Sequence, residues 1–578
     1  MNLISERWIP VRRADGSHER IAPWQLTDGV GGDNPIVAVA SPRPDFDGAL
    51  TQFLIGLLQT TCTPSEEQWW DWREIPPSKE VLNERFEMLI PAFELDGGDG
   101  ALFMQERLGD KAEEHPVTYL LIGAATDSAL KKNIDHFQKR PRGGECLCQS
   151  CAAAALYTLQ TFAPGGGGGG DGKFTSLRGG GPLTTLILGG SLWETVWLNV
   201  IYGETFSRNT PDHMTFPWLE TGAFITEAAP VKTIHSTAMK PEHVFWGMPR
   251  RIRLSFSVNE YGANSPCTLC GEVDEQICVG YRDLTGGLTY QEKVGSKKLP
   301  SWIHPRHPLS PYNQGEDQRP SAVHPQEGGI GYRHWLGLIE NSTNGSAKRM
   351  PATVIEQFRN CREDGRLWAF GFDMENMKAR CWYDAAMPIF DIENEHKVLL
   401  NEYLSGMVRA AHYVSGLVMT AVLRATLLEA NKKIEDERGI SVVWKWPRNL
   451  LARLKLSPTE KSDAVEAKVN ASGEELSRRI DASLLSGPIA ARSQFWADTE
   501  ADFFLYTKQM RDVVRAQGDT TEALKEWRQT LKETALRVFC DYGRSGDFDV
   551  DPRRIALAEL DLNRMLNGNR LRQLLLIP

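Results

Sequence analysis

From about residue 395 the apolar positions recur in steps of four and three: Leu400, Leu404, Met407, Ala411, Val414, Val418, Ala421, Ala425 and Leu428. That period puts them on one stripe of a long helix with a bundle-type seam. Start signals for further helices follow. Ser457-Pro458-Thr459-Glu460 has capping-box spacing with proline at the first helical position, and Asp519-Thr520-Thr521-Glu522 repeats the spacing. Asp551-Pro552 opens a last helix predicted to run to Leu575. The pattern predicts an antiparallel four-helix bundle over residues 395–578. Residues 1–394 are patterned differently, with short apolar runs broken by Gly and Pro. Trp8-Ile9-Pro10-Val11 followed by Asp15-Gly16 reads as a strand and turn, and Leu183–Leu188 as a strand. Leu367–Phe372 and Ala379–Tyr383 flank a polar turn, which predicts a hairpin. Ser150–Phe162 is alanine-rich and helical, and residues 305–330 read as a long loop. The expected class is α+β: a large irregular mixed N-terminal domain over 1–394, then the helical bundle over 395–578.

A chain of 578 residues exceeds what one core supports, which agrees with two domains. It has no run of eighteen apolar residues and no apolar signal segment, so the expectation is a cytoplasmic protein with no membrane partner. The net charge of −10 argues against coating nucleic acid through bulk positive charge. It leaves room for local basic stretches: Lys131-Lys132, Lys139-Arg140-Pro141-Arg142, Arg250-Arg251-Ile252-Arg253 and Lys297-Lys298.

Those stretches lie around two cysteine pairs, Cys148-Gln-Ser-Cys151 and Cys267-Thr-Leu-Cys270. A C-x-x-C turn directs two thiolates inward at a spacing that suits half of a tetrahedral zinc shell, and two such turns complete it. A shell of four cysteines has no open position for water, so the zinc would be structural. The competing reading is a set of unrelated free thiols, since Cys146 and Cys278 lie close by in sequence.

After the first pair comes Ala163-Pro164, the glycine run Gly165–Gly170, then Asp171-Gly172-Lys173. Three readings compete. Gly167 to Lys173 fits G-x-x-x-x-G-K, but Phe174 stands where a hydroxyl should bind magnesium, and the run follows a helix rather than a strand. A flexible linker is the second reading. The third is a loop whose bare backbone approaches another molecule closely. The chain has no G-x-S-x-G elbow and no H-E-x-x-H helix, so the expectation is a protein that is not an enzyme. A zinc-stabilised nucleotide-binding enzyme using Lys173, and a scaffold that never touches DNA, are the alternatives.

Taken in order, these features resemble the CasA family, large subunits of the type I-E Cascade complexes of CRISPR antiviral defence. The resemblance rests on Met1-Asn2-Leu3-Ile4 with Trp8–Val11, and on the succession C-x-x-C, helix, Ala-Pro-Gly, glycine loop, Lys173-Phe174 and Leu177-Arg178-Gly179-Gly180. It rests further on Cys267–Gly271, Trp302–Pro308 and the C-terminal helices. It implies a subunit that reads the protospacer-adjacent motif of double-stranded DNA from the minor groove, promotes strand separation for R-loop formation, and recruits the helicase–nuclease. Partners would be the other Cascade subunits, the 5′ handle of the guide RNA, the target duplex and that helicase–nuclease. Carried over by motif, Gly167, Gly168, Gly169, Gly170 and Lys173 would contact DNA. Phe137 and Lys139 would meet the guide RNA or a neighbouring subunit. The hairpin tip Glu375-Asn376-Met377 would be the strand-separating wedge, with Asn376 where the family has glutamine. Thr285 stands where the family has its minor-groove lysine, with Lys293, Lys297 and Lys298 as nearby candidates.

Overall fold

The structure is a computed structural model of the chain. It describes residues 1–97, 100–124, 144–165, 176–206, 211–220, 231–235, 239–260, 265–291, 293–294, 297–298, 306–315, 320–344, 347–375, 378–426, 482–544 and 552–577. The chain divides into two compact units. One is Met1–Ile330 with Gly337–Ile389; the other is Gly331–Leu336 with Phe390–Pro578.

The first unit is mixed. Its central helix, Pro44–Thr61, is buried along almost its whole length. Midway along it, Phe53 meets Trp8, Phe93, Phe103, Tyr157 and Trp246 edge to face, with ring centroids 5.4–6.0 Å apart. That is the separation at which the positive ring edge meets the negative face. Ile9–Arg13 pairs with His18–Ile21 through a turn in which Gly16 has φ +86°, and with Ile36–Val39 on its other side. This is the strand and turn expected from the sequence. Two further sheets position the functional segments. In one, Gln276–Leu284 is flanked by Arg251–Val258 on one side, and by Glu113–Pro116 and Leu147–Cys148 on the other. In the other, Gly365–Glu375 lies between Lys378–Ile389 and Thr184–Leu188. The expected hairpin and the expected strand near 183–188 thus belong to one sheet.

Two expectations need correction. Residues 305–330 are not all loop: Tyr312–Gln314 and Ser321–Ala322 pair in a sheet with Ala347–Met350 and Ser342–Asn344. Strands of two and three residues are too short to show an alternating pattern. The last helix also breaks. Pro552–Leu566 and Asn569–Leu574 are separate helices, and Gly568 between them is extended at φ −69°, ψ 162°. Asn567-Gly568 was a readable stop signal.

The described residues of the second unit are mostly helical. Asn394–Thr426 packs against Ala482–Arg515, Thr521–Gly543 and Pro552–Leu566. Leu400, Leu404, Met407, Ala411, Val414, Val418, Ala421 and Ala425 of the expected seam are all buried, while Leu428 lies outside the described residues. Ser457–Glu460 also falls outside them. Helix Asn394–Thr426 is long and apolar enough to cross a membrane by length and composition, although its apolar residues do not form one uninterrupted run. Half of its most apolar window is buried against its neighbours, as in a core helix. The centre of this core is aromatic. Tyr332 stacks on Phe503 at 4.5 Å, and Trp527 packs edge-on against both rings. The Trp527 Nε1–H donates to the Met407 carbonyl over 3.3 Å. Trp527→Ala should destabilise this unit by about 3–5 kcal/mol through the cavity it leaves, measured by thermal unfolding.

Candidate functional site

The first cysteine pair sits where a strand becomes a helix. Leu147 and Cys148 pair with Cys278 and Ile277 of the central strand, and Cys148 then caps helix Gln149–Phe162. The Cys151 N–H donates to Cys148 Sγ over 3.4 Å. The second pair lies on the connection between Arg251–Val258 and Gln276–Leu284, the two longest strands of the same sheet. There Gly271, at φ +78°, donates its N–H to the Cys267 carbonyl over 2.9 Å and closes the turn. The two turns are stitched to each other as well. Thr268 N–H donates to the Cys146 carbonyl over 2.9 Å, and Gln149 N–H donates to Asp274 over 3.1 Å.

As a result, Cys148, Cys151, Cys267 and Cys270 converge, with all four sulfurs within 4.8 Å of one another. The Cys148 and Cys270 sulfurs are 3.6 Å apart. A tetrahedral zinc–thiolate shell with bonds of about 2.3 Å puts its sulfurs about 3.8 Å apart. Spacing, burial and donor set therefore fit a metal ion of zinc's size and preference. Hydrogen bonds from Cys148 and Cys151 pull the Cys270 thiol down to about 7 and hold Cys267 well below the usual thiol range. Cys148 and Cys151, facing those sulfurs, are pushed up. Were all four deprotonated, sulfurs this close would need a cation among them, and Arg20 would supply only part of that charge. Its guanidinium lies 3.9 Å from Cys270 Sγ and 2.6 Å from Glu272. The remaining two nearby cysteines stand apart from the cluster. Cys146 donates toward the Ser265 and Pro266 carbonyls, and Cys278 toward Gly280, with both thiols pushed up by burial.

Helix Gln149–Phe162, buried from Ser150 onward, carries the chain from the cysteines to Pro164-Gly165, where the glycine run begins. Of the other predicted site residues, Phe137, Lys139, Gly167, Gly168, Gly169, Gly170, Lys173 and Asn376 lie outside the described residues. Lys297-Lys298 forms a short strand paired with Lys293-Val294. Thr285 follows the end of strand Gln276–Leu284. Two arginines behave differently from what the sequence suggested, and a third pairs with the hairpin's own carboxylates. Arg251, read as part of a basic stretch, is buried in a two-pronged ion pair with Glu106 at 2.7 and 2.9 Å. Arg250 donates to the Pro164 carbonyl over 2.9 Å, so it secures the entry to the glycine run. On the hairpin, Arg380 clasps Asp373 at 2.9 and 3.0 Å and reaches Glu375 at 2.8 Å. The carboxylate beside the hairpin tip, which would repel DNA alone, is thereby paired. His307 is buried, accepts the Leu309 N–H at Nδ1, and is held neutral chiefly by burial, as a packed loop residue.

The model of the CRISPR-associated protein Cse1 family matches residues 2–538. The chain belongs to the Cse1 (CasA) family. Solved structures share the fold across the chain. CasA from Thermus thermophilus superimposes with a TM-score of 0.63 at 16% identity, covering 98% of this chain and 99% of that one. Cse1 from Acidimicrobium ferrooxidans gives 0.63 at 15% identity, covering 99% and 98%. A chain of a structure titled CRISPR RNA-guided surveillance complex gives 0.59 at 13% identity, covering 98% and 99%. At such low identity the likeness carries the fold, and the side chains of this family member have to be argued on their own.

Proposed function

We propose that this Cse1 family member is the large, non-catalytic subunit of a type I-E CRISPR surveillance complex. It recognises the protospacer-adjacent motif in duplex DNA from the minor groove, promotes strand separation, and recruits the helicase–nuclease once the target is bound. Family membership and the fold shared with a chain of an RNA-guided surveillance complex support the subunit role. The observation that carries the DNA reading is one of placement. Strand Thr184–Leu188, which follows the glycine segment, pairs directly with strand Gly365–Glu375, which leads to the hairpin tip. The two segments assigned to duplex contact therefore leave the same sheet side by side. A glycine-rich backbone can enter a narrow groove without side-chain bulk, and the minor groove's degenerate acceptors agree with tolerance of several motif sequences. The four-cysteine cluster holds a structural zinc in this reading and fixes the helix leading into the run. Phe137 and Lys139 meet the guide's 5′ handle or a neighbouring subunit, and Lys173, Asn376, Lys297 and Lys298 are the remaining DNA contacts. The C-terminal helices form an antiparallel four-helix bundle, and the complex works in the cytoplasm.

The test is assembly of the complex with and without this chain on one guide RNA. Without it, binding to a motif-bearing duplex should be lost, while binding to a target with pre-separated strands should largely persist. Equal binding of the duplex by both assemblies would refute the proposal.

A further inference from the structure

The glycine turn that follows the run also touches the hairpin. Gly180 has φ +91°, and a Cβ there would lie 2.5 Å from the nitrogen of Gly165, so the first residue of the run meets the glycine turn that follows it through bare backbone. Gly180 N–H donates to Ser176 Oγ over 2.9 Å. Gly181 has φ +62°, and a Cβ there would lie 2.4 Å from Cγ of Met374, one residue before the end of the outgoing hairpin strand. The Gly181 carbonyl accepts from His324 Nδ1 over 2.8 Å. Only glycine reaches these positive φ values without strain, and only glycine allows contacts this close. Beneath the turn, Arg178 is buried. It donates to Thr184 at 3.1 Å, to Ser310 at 2.6 Å and to Gln52, and lies over the Phe162 ring. Burial pulls its guanidinium down to about 10. One cation thus ties this turn to helix Pro44–Thr61, to the strand paired with the hairpin, and to the end of the helix entering the run.

We propose that Gly181 and Met374 form a joint that fixes the base of the glycine run to the base of the hairpin, so that both engage duplex DNA as one body. Met374 is then a positioning residue. The proposal rests on the DNA-contact reading above and adds to it a coupling between two segments nearly two hundred residues apart. Met374 is half-buried at the hairpin's outer end, so truncating it leaves the strand pairing in place.

The experiment uses the assembled complex with guide RNA and four forms of this chain: wild type, Met374→Ala, Gly167–Gly170 all replaced by alanine, and the combination. Binding is measured to a motif-bearing duplex and to a target with pre-separated strands. Met374→Ala should weaken duplex binding about tenfold and leave the opened target unchanged, and Met374→Leu, which refills the contact, should restore it. The combined form should bind duplex no more weakly than the four-alanine form, because a joint has nothing to transmit once its loop is impaired. If both single changes impair duplex binding and their effects multiply, the two segments act independently; the joint is overturned and the DNA-contact reading survives. Wild-type duplex binding by Met374→Ala overturns the joint as well. An equal loss on both targets with a lowered melting temperature would reduce Met374 to ordinary packing. Unchanged duplex binding by the four-alanine form would overturn the DNA-contact reading and the joint together.

Discussion

Replacing Cys148 and Cys151 together by serine is expected to abolish retention of about one equivalent of zinc per chain and to destabilise the N-terminal unit on the order of 5 kcal/mol or more. The size follows from topology. Cys148 and Cys270 are 122 residues apart in sequence, and a cross-link closing a loop of about this length removes about 4–5 kcal/mol of chain entropy from the unfolded state. With zinc bound as proposed, removing half of the four-sulfur shell would also leave Cys267 and Cys270 beside each other without a cation to balance them. The loss should spread to the helix capped by Cys148 and so to the start of the glycine run. Metal analysis of purified protein and thermal unfolding with and without a chelator measure both effects. Cys146→Ser is the control and should keep the metal, because its sulfur lies outside the cluster. Full metal retention by the double serine variant would exclude these residues as ligands.

The second large effect is expected at the glycine run. Alanine at Gly167, Gly168, Gly169 and Gly170 should weaken binding of a motif-bearing duplex by the assembled complex by about 10–100-fold, leaving metal content and melting temperature unchanged. Four methyl groups restrict positive φ and hold backbone amides away from a groove only about 6 Å wide. Losing one or two good base-edge contacts corresponds to a factor of this size. A target with pre-separated strands should suffer far less, since it needs no duplex recognition. A linker would tolerate the four alanines on both substrates, and a phosphate-binding loop would lose nucleotide affinity instead.

Much of the four-cysteine cluster was legible in the sequence because C-x-x-C is a local device: its spacing alone sets two sulfurs on one turn. What brings the two turns together was not legible. It is the pairing of Leu147-Cys148 with Ile277-Cys278 across the sheet, a long-range register with no local trace. The basic stretch at Arg250–Arg253 failed for a related reason. The partner that buries Arg251 is Glu106, 145 residues away, and a charge run read locally looks solvated. Arg178 left no signal either, because a single arginine in a glycine-rich turn has no period to show which way it faces. The long helix from 394 was the easiest element to read, since its seam repeats over many turns. The joint at Gly181 and Met374 shows the limit of local reading most plainly. Gly179 and Gly180 stand out locally in the sequence, but the tight contact of Gly181 with the hairpin exists only once strand Thr184–Leu188 has paired with Gly365–Glu375.

The account's central claim is that this chain reads a short motif in duplex DNA through its glycine run. The most direct measurement is affinity of the assembled complex for duplexes identical except at the motif, with wild-type chain and with the Gly167–Gly170 alanine variant. The account predicts strong discrimination among motifs by the wild type and near-uniform, weak binding by the variant at the same salt concentration. Equal motif discrimination by both would contradict it.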